Sequence, residues 1–115
     1  MTEAQTPLTP AVFHVLVALA DGDKHGYAIL KEVAGQTGGE VQLSTGTLYT
    51  IIKRLLVGGF ITEVRGAAGK GDDARRRYYR LTARGRETAV AEARRLENMI
   101  KRARSKRLLR EGNAV

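Results

Sequence analysis

The chain has no cysteine, no tryptophan, two histidines and two prolines. Each scarcity removes a class of protein. Without cysteine there is no disulfide scaffold, and no thiolate to bind metal or act as a nucleophile. Two histidines without thiols do not make a structural zinc site, so neither a metal nor a cofactor is expected. Long apolar runs are missing too. The longest, Ala11 to Ala20, is interrupted by His14 and is too short to span a bilayer, so no membrane partner is expected. The preceding MTEAQTPLTP has no basic n-region and does not read as a signal peptide. A small cytoplasmic protein is the expectation.

What is present is a 115-residue chain, 43% hydrophobic, with a net charge of +8. That length suits one compact unit, and the hydrophobic fraction is that of a folded protein rather than a disordered polyelectrolyte. The charge is unevenly spread. Residues 1–64 carry Lys24, Lys31, Lys53 and Arg54 against Glu3, Asp21, Asp23, Glu32, Glu40 and Glu63, a net −2. Residues 65–115 are net +10. A basic surface makes nucleic acid the first partner to consider, although solvated helix faces and tails also produce such asymmetry.

Local pattern divides the chain further. Thr9-Pro10 reads as an N-cap followed by proline at N1, and Val12, Val15, Leu16 and Leu19 follow at helical spacing. Asp21-Gly22-Asp23 closes this first helix. A second runs from Gly26 to about Thr37, with Tyr27, Leu30, Val33 and Ala34 as its apolar stripe and Gly35, Gly38 and Gly39 at its end. Ser44 caps a third, whose buried face is Leu48, Ile51, Ile52, Leu55 and Leu56; Gly58-Gly59 stops it.

The period then changes. Phe60–Arg65 and Arg76–Thr82 read as two strands, and the glycine-rich GAAGKGDDAR between them reads as a long hairpin tip. Thr82 caps a fourth helix expected to reach about Arg110, roughly 40 Å of helix. Its apolar positions Ala89, Ala93, Leu96, Ile100 and Ala103 recur at spacings of 4, 3, 4 and 3. This heptad-like seam is either internal core or a dimerisation surface, and the helix is long for so small a body.

Three helices followed by a hairpin is the order of a winged helix-turn-helix. The expected fold class is therefore mainly α with a small β-hairpin. Residues 1–82 would form the winged helix, 83–110 the C-terminal dimerisation helix, and 111–115 a disordered tail. In such a fold the third helix enters the major groove of double-stranded DNA and the hairpin tip reaches the adjacent backbone or minor groove. Thr45, Thr47, Tyr49, Thr50, Lys53 and Arg54 fall off the third helix's apolar stripe, together with the cap Ser44. Hydroxyls at a helix N-terminus and nearby cations suit phosphates and base edges.

The hairpin adds Lys70, Arg75, Arg76 and Arg77, which are either DNA contacts or a solvated strand face. Asp72-Asp73 departs from a purely basic tip. His25 either meets phosphate or caps the second helix, and Tyr27 is either core or a backbone contact. The run KRARSKRLLR at 101–110 is either a DNA-contacting tail or the solvated end of a helix, where cations favour the dipole.

The segments HGYAIL (25–30), LSTGTLYTIIKRLLVGGFI (43–61) and RRRYYRLTARGR (75–86) resemble those of PadR-type transcriptional regulators. The resemblance covers about residues 8–110. It implies a homodimeric winged helix that binds operators and represses until a ligand or stress intervenes. With one long C-terminal helix the chain resembles the short branch, in which that helix packs against the partner's first helix, here Val12, Val15, Leu16 and Leu19. It also implies recognition roles for Ser44, Thr45, Thr47, Tyr49 and Lys53. A small-molecule effector in the dimer cleft is implied as well. Some short members hold flat ligands there between tryptophans, which this sequence lacks. Tyr78 and Tyr79 fall on the second wing strand, where alternation sends one to the core.

Rival readings are weaker. An RNA-binding protein would present stacking aromatics on a sheet, and only a hairpin is expected. A winged-helix ligand carrier or anti-repressor would not need the third-helix hydroxyls. For an enzyme, no nucleophile–base pair, carboxylate pair or phosphate-cradling loop has usable spacing, and GAAGKGDD lacks the Ser or Thr ending and the strand-to-helix setting of a phosphate loop.

Overall fold

The computed structural model describes residues 8–65 and 77–110. In chain order these form α1 (Pro10–Ala18), β1 (Lys24–His25), α2 (Gly26–Gln36), α3 (Thr45–Val57), β2 (Ile61–Arg65), β3 (Arg77–Leu81) and α4 (Ala83–Ser105). The result is a mainly helical winged helix with a long C-terminal helix.

Each helix begins where a side chain accepts an otherwise unpaired backbone N–H. Thr9 Oγ1 accepts from Val12, Ser44 Oγ from Thr47 and Thr82 Oγ1 from Gly85, at 3.3, 3.0 and 3.0 Å. α2 instead uses His25, whose Nδ1 accepts the Ala28 N–H at 3.2 Å. Three helices end with the same backbone closure, in which a residue beyond the end donates back to a carbonyl five residues earlier. The pairs are Gly39 to Ala34, Phe60 to Leu55 and Leu108 to Ala103. Gly38 and Gly59 supply the left-handed residue of the first two turns, and Arg107 (φ 66°) that of the third.

The core is one cluster. Val15, Leu16, Ala18 and Leu19 meet Ile29 and Val33 of α2, Leu48, Ile51, Ile52 and Leu55 of α3, Ile61 of β2 and Tyr79 of β3. Burying each large aliphatic side chain there contributes about 1.5–3 kcal/mol.

Three expectations need correction. The sheet has three strands, not two: β3 pairs antiparallel with β2 and also with β1 (Lys24↔Tyr79, His25↔Tyr78), in the order β1-β3-β2. A two-residue strand leaves no alternation to read. Tyr27 is exposed rather than on the apolar stripe of α2, because Gly26, Ile29 and Val33 take the inward line and Tyr27 falls about 100° round from Gly26. α4 stops at Ser105, not near Arg110, because Lys106 and the left-handed Arg107 turn the chain out. On α4, Glu92 is buried and Ala93 is exposed, so Ala93 is surface rather than core of its own protomer. The tail at 111–115 lies outside the described residues.

Candidate nucleic-acid interface

α3 has two faces of opposite character. Leu48, Ile51, Ile52 and Leu55 are buried, while Ser44, Thr45, Thr47, Tyr49, Thr50, Lys53 and Arg54 are all exposed. The 3.6-residue period makes this division, since the core takes one stripe and leaves the rest to solvent.

The hydroxyls are partly engaged already. Ser44 Oγ donates to Thr47 Oγ1 at 3.0 Å, and Thr50 Oγ1 donates to the Gly46 carbonyl at 3.0 Å. Thr47 therefore accepts one bond and keeps its own proton for an outside acceptor.

Tyr49 is 46% exposed and lays its ring against the first residue of α2. Its phenol also stands near that of Tyr79, the wing-strand tyrosine that goes to the core. Burial pushes the Tyr79 phenol above its ordinary pKa, and the neighbouring Tyr49 and Glu63 act in the same direction. Tyr78, on the other face of β3, meets the His25 ring edge-on at 5.3 Å. His25 is thus built into the fold as cap and packing partner. Tyr27 is 62% exposed, with Lys31 Nζ 5.5 Å from its ring centre.

The hairpin's charges are not all uncommitted. Arg77 lies 3.6 Å from Glu63 across the strands. Arg80, which sequence reasoning missed, grips Asp23 through two hydrogen bonds of 3.0 and 2.9 Å. Those bonds hold the Asp23 carboxyl below its ordinary pKa, and they tie β3 to the turn before β1. The sign of Asp23, just before β1, was the only available signal for this pair. Lys70, Arg75 and Arg76 lie outside the described residues.

The expected dimer residues divide. Val15 and Leu16 have no exposed surface and Leu19 has 2%. They are core of their own protomer, a correction with a plain cause: the stripe that would meet a partner is already covered within the protomer, with α2 and α4 packed against α1. Val12 is half-buried against the same core, as is Ala89. Leu96 and Ala103 are half-buried, and Ile100 is 40% exposed beside Met99 at 42%. The apolar surface of α4 therefore lies mainly in its second half.

Among the described residues, no group of three metal-ligating side chains comes together. None of the helices described is long and apolar enough to cross a membrane.

Residues 15–91 match the sequence profile of the transcriptional regulator PadR-like family. An uncharacterised protein of Lysinibacillus sphaericus is 31% identical over 72 residues, a match spanning 63% of this chain and 64% of that relative. A transcriptional regulator from Clostridium thermocellum has a similar structure, with a TM-score of 0.67 and 28% identity, over 82% of this chain and 86% of the other. Bacillus subtilis PadR, solved in complex with operator DNA, shares the fold at a TM-score of 0.56 and 23% identity, over 70% of this chain and 46% of that one.

Proposed function

The chain belongs to the PadR-like family of transcriptional regulators, and from that premise we propose that it is a cytoplasmic, homodimeric repressor that binds specific sites on double-stranded DNA. The observation that carries this reading is α3, a helix anchored by four buried aliphatic residues whose opposite face, apart from Val57 at its C-terminal end, presents hydroxyls and cations. A helix held so firmly on one side can insert the other into a major groove.

The chemistry divides along the helix. Thr45, Thr47 and Tyr49, near its N-terminus, offer hydroxyls to base edges and phosphates. Lys53 and Arg54, further along, neutralise backbone phosphates and release counterions. The wing cations Lys70, Arg75, Arg76 and Arg77 add to that sequence-independent attraction. Bacillus subtilis PadR, crystallised with operator DNA, is the precedent for a fold of this kind on DNA.

The homodimer is supported by Leu96, Met99 and Ile100, a row of α4 that its own protomer leaves incompletely covered. Two copies joined there would present their α3 helices to successive major grooves, roughly 34 Å apart. Relief of repression by a small molecule in the dimer cleft, or by stress, is supported by the family resemblance. That cleft would hold its effector without tryptophan. A regulator of this kind binds rather than catalyses, in keeping with the absence of any paired catalytic groups in the sequence.

Fluorescence anisotropy tests the reading, using the duplex upstream of the chain's own gene and a random duplex of equal length. Tighter binding to the first at physiological salt is expected, and equal affinities would refute specific recognition. Lys53→Ala should weaken binding and reduce the salt slope by about one unit.

A further inference from the structure

Gly26 opens α2 with no conformational reason to be glycine. Its backbone is not left-handed, unlike Gly38, Gly39 and Gly59. In an ordinary helical conformation glycine is less favourable than alanine. The position is also buried, where a methyl group would normally add packing.

The explanation lies on the neighbouring helix. A Cβ at position 26 would stand 2.9 Å from Tyr49 Cζ and 3.4 Å from Tyr49 Cε1, and nearer still to the hydroxyl. Those three atoms are the nearest such a carbon would meet. Only the phenol, then, stands in its way. Tyr49 is about half exposed, so its escape is outward into solvent. The missing side chain of Gly26 is the seat of the Tyr49 ring, and His25, locked by its cap bond to Ala28, fixes the backbone beside that seat.

We propose that Gly26 is a positioning residue for DNA recognition: its bare backbone seats the Tyr49 phenol against the start of α2 and so holds the hydroxyl in the surface that α3 presents to DNA. This rests on the DNA-binding reading of α3. A seated ring has given up its rotamer freedom before DNA arrives, so association does not have to order it. A ring released by a methyl group samples solvent-facing rotamers and must be re-ordered on binding.

The test uses the full chain with Gly26→Ala, Tyr49→Ala and the double variant, and the same two duplexes. Gly26→Ala is expected to weaken binding to the upstream duplex roughly tenfold, while its thermal midpoint is unchanged or raised, because alanine favours the helix. Tyr49→Ala should weaken binding at least as much, and the double variant no more than Tyr49→Ala alone. In the free protein, NMR contacts between the Tyr49 ring and the Gly26 α-protons should be present. In Gly26→Ala the Tyr49 ring should lose its contacts with the start of α2.

Binding as tight as the parent by Gly26→Ala would overturn the proposal. So would a fall in thermal midpoint in step with affinity, or additive losses in the double variant. A parent protein that fails to tell the two duplexes apart defeats the DNA reading instead. The ring contacts still show, independently of DNA, whether the seat exists.

Discussion

α1 and α4 are built on opposite terms. α1 has nine residues and buries Val15, Leu16 and Ala18. α4 has 23 residues and buries only Gly85 and Glu92. The shorter helix exists because the core needs it, whereas the longer one places a glycine and a carboxylate where a core helix would place leucine. Three of its apolar side chains, Val90, Met99 and Ile100, stay 40–45% exposed. A helix of this length sustains itself partly through local pairs such as Glu92–Arg95. What it leaves uncovered is the surface on which the proposed dimer rests.

Four measurements would break or sharpen that contrast. Leu16→Ala should cost about 3 kcal/mol of stability in urea unfolding, because a fully buried leucine leaves a cavity; a loss near zero would remove α1 from the core. Ile100→Asp should leave the thermal stability of the body nearly intact while weakening self-association at least about thirtyfold. Light scattering reads that directly, and an unchanged dimer would move the seam elsewhere.

The third concerns acid. Arg95 and the Leu8 N–H hold the Glu92 carboxyl below its ordinary pKa, as Arg80 does for Asp23. Depressed carboxyls stabilise the fold above the ordinary carboxyl range near pH 4, and that contribution disappears as pH falls through their folded values. Glu92→Gln should cost about 1 kcal/mol at pH 7 and flatten the acid limb of a stability–pH curve. A parallel curve, merely displaced, would show that the pair does not titrate with folding. The smallest effect belongs to Arg107→Gly, which should firm up the last turn of α4 by a few tenths of a kcal/mol by relieving a left-handed arginine. Slower amide exchange confined to that turn is the readout.

Much of this architecture is written in the residues. Thr9, Ser44 and Thr82 announce their helices, and the 3.6-residue period of α3 sorts Leu48 and Ile51 from Tyr49 and Lys53, because capping and amphipathicity are local effects. What escaped depends on distant partners. β1 is two residues long and exists only because β3 runs beside it. The phase of α2 turns on Gly26 facing inward, which no hydrophobicity scale suggests. Val15, Leu16 and Leu19 look the same in sequence whether they face a partner or α2, and only the packing decides. The Gly26–Tyr49 fit joins residues 23 positions apart, on helices whose crossing the sequence does not state.

The junction between α3 and α4 has a mechanical side. Arg84 Nε donates to the Gly58 carbonyl at 3.0 Å, Thr82 Oγ1 to the Gly59 carbonyl at 2.7 Å, and the Thr82 N–H to the Phe60 carbonyl at 3.1 Å. Gly85 packs against that same carbonyl so closely that a Cβ there would collide with it. One helix ends where the other begins, with little slack between them. α4 then projects as an arm roughly 34 Å long whose base is fastened to the end of α3. A tilt of about 5° at that base swings its far end by about 3 Å.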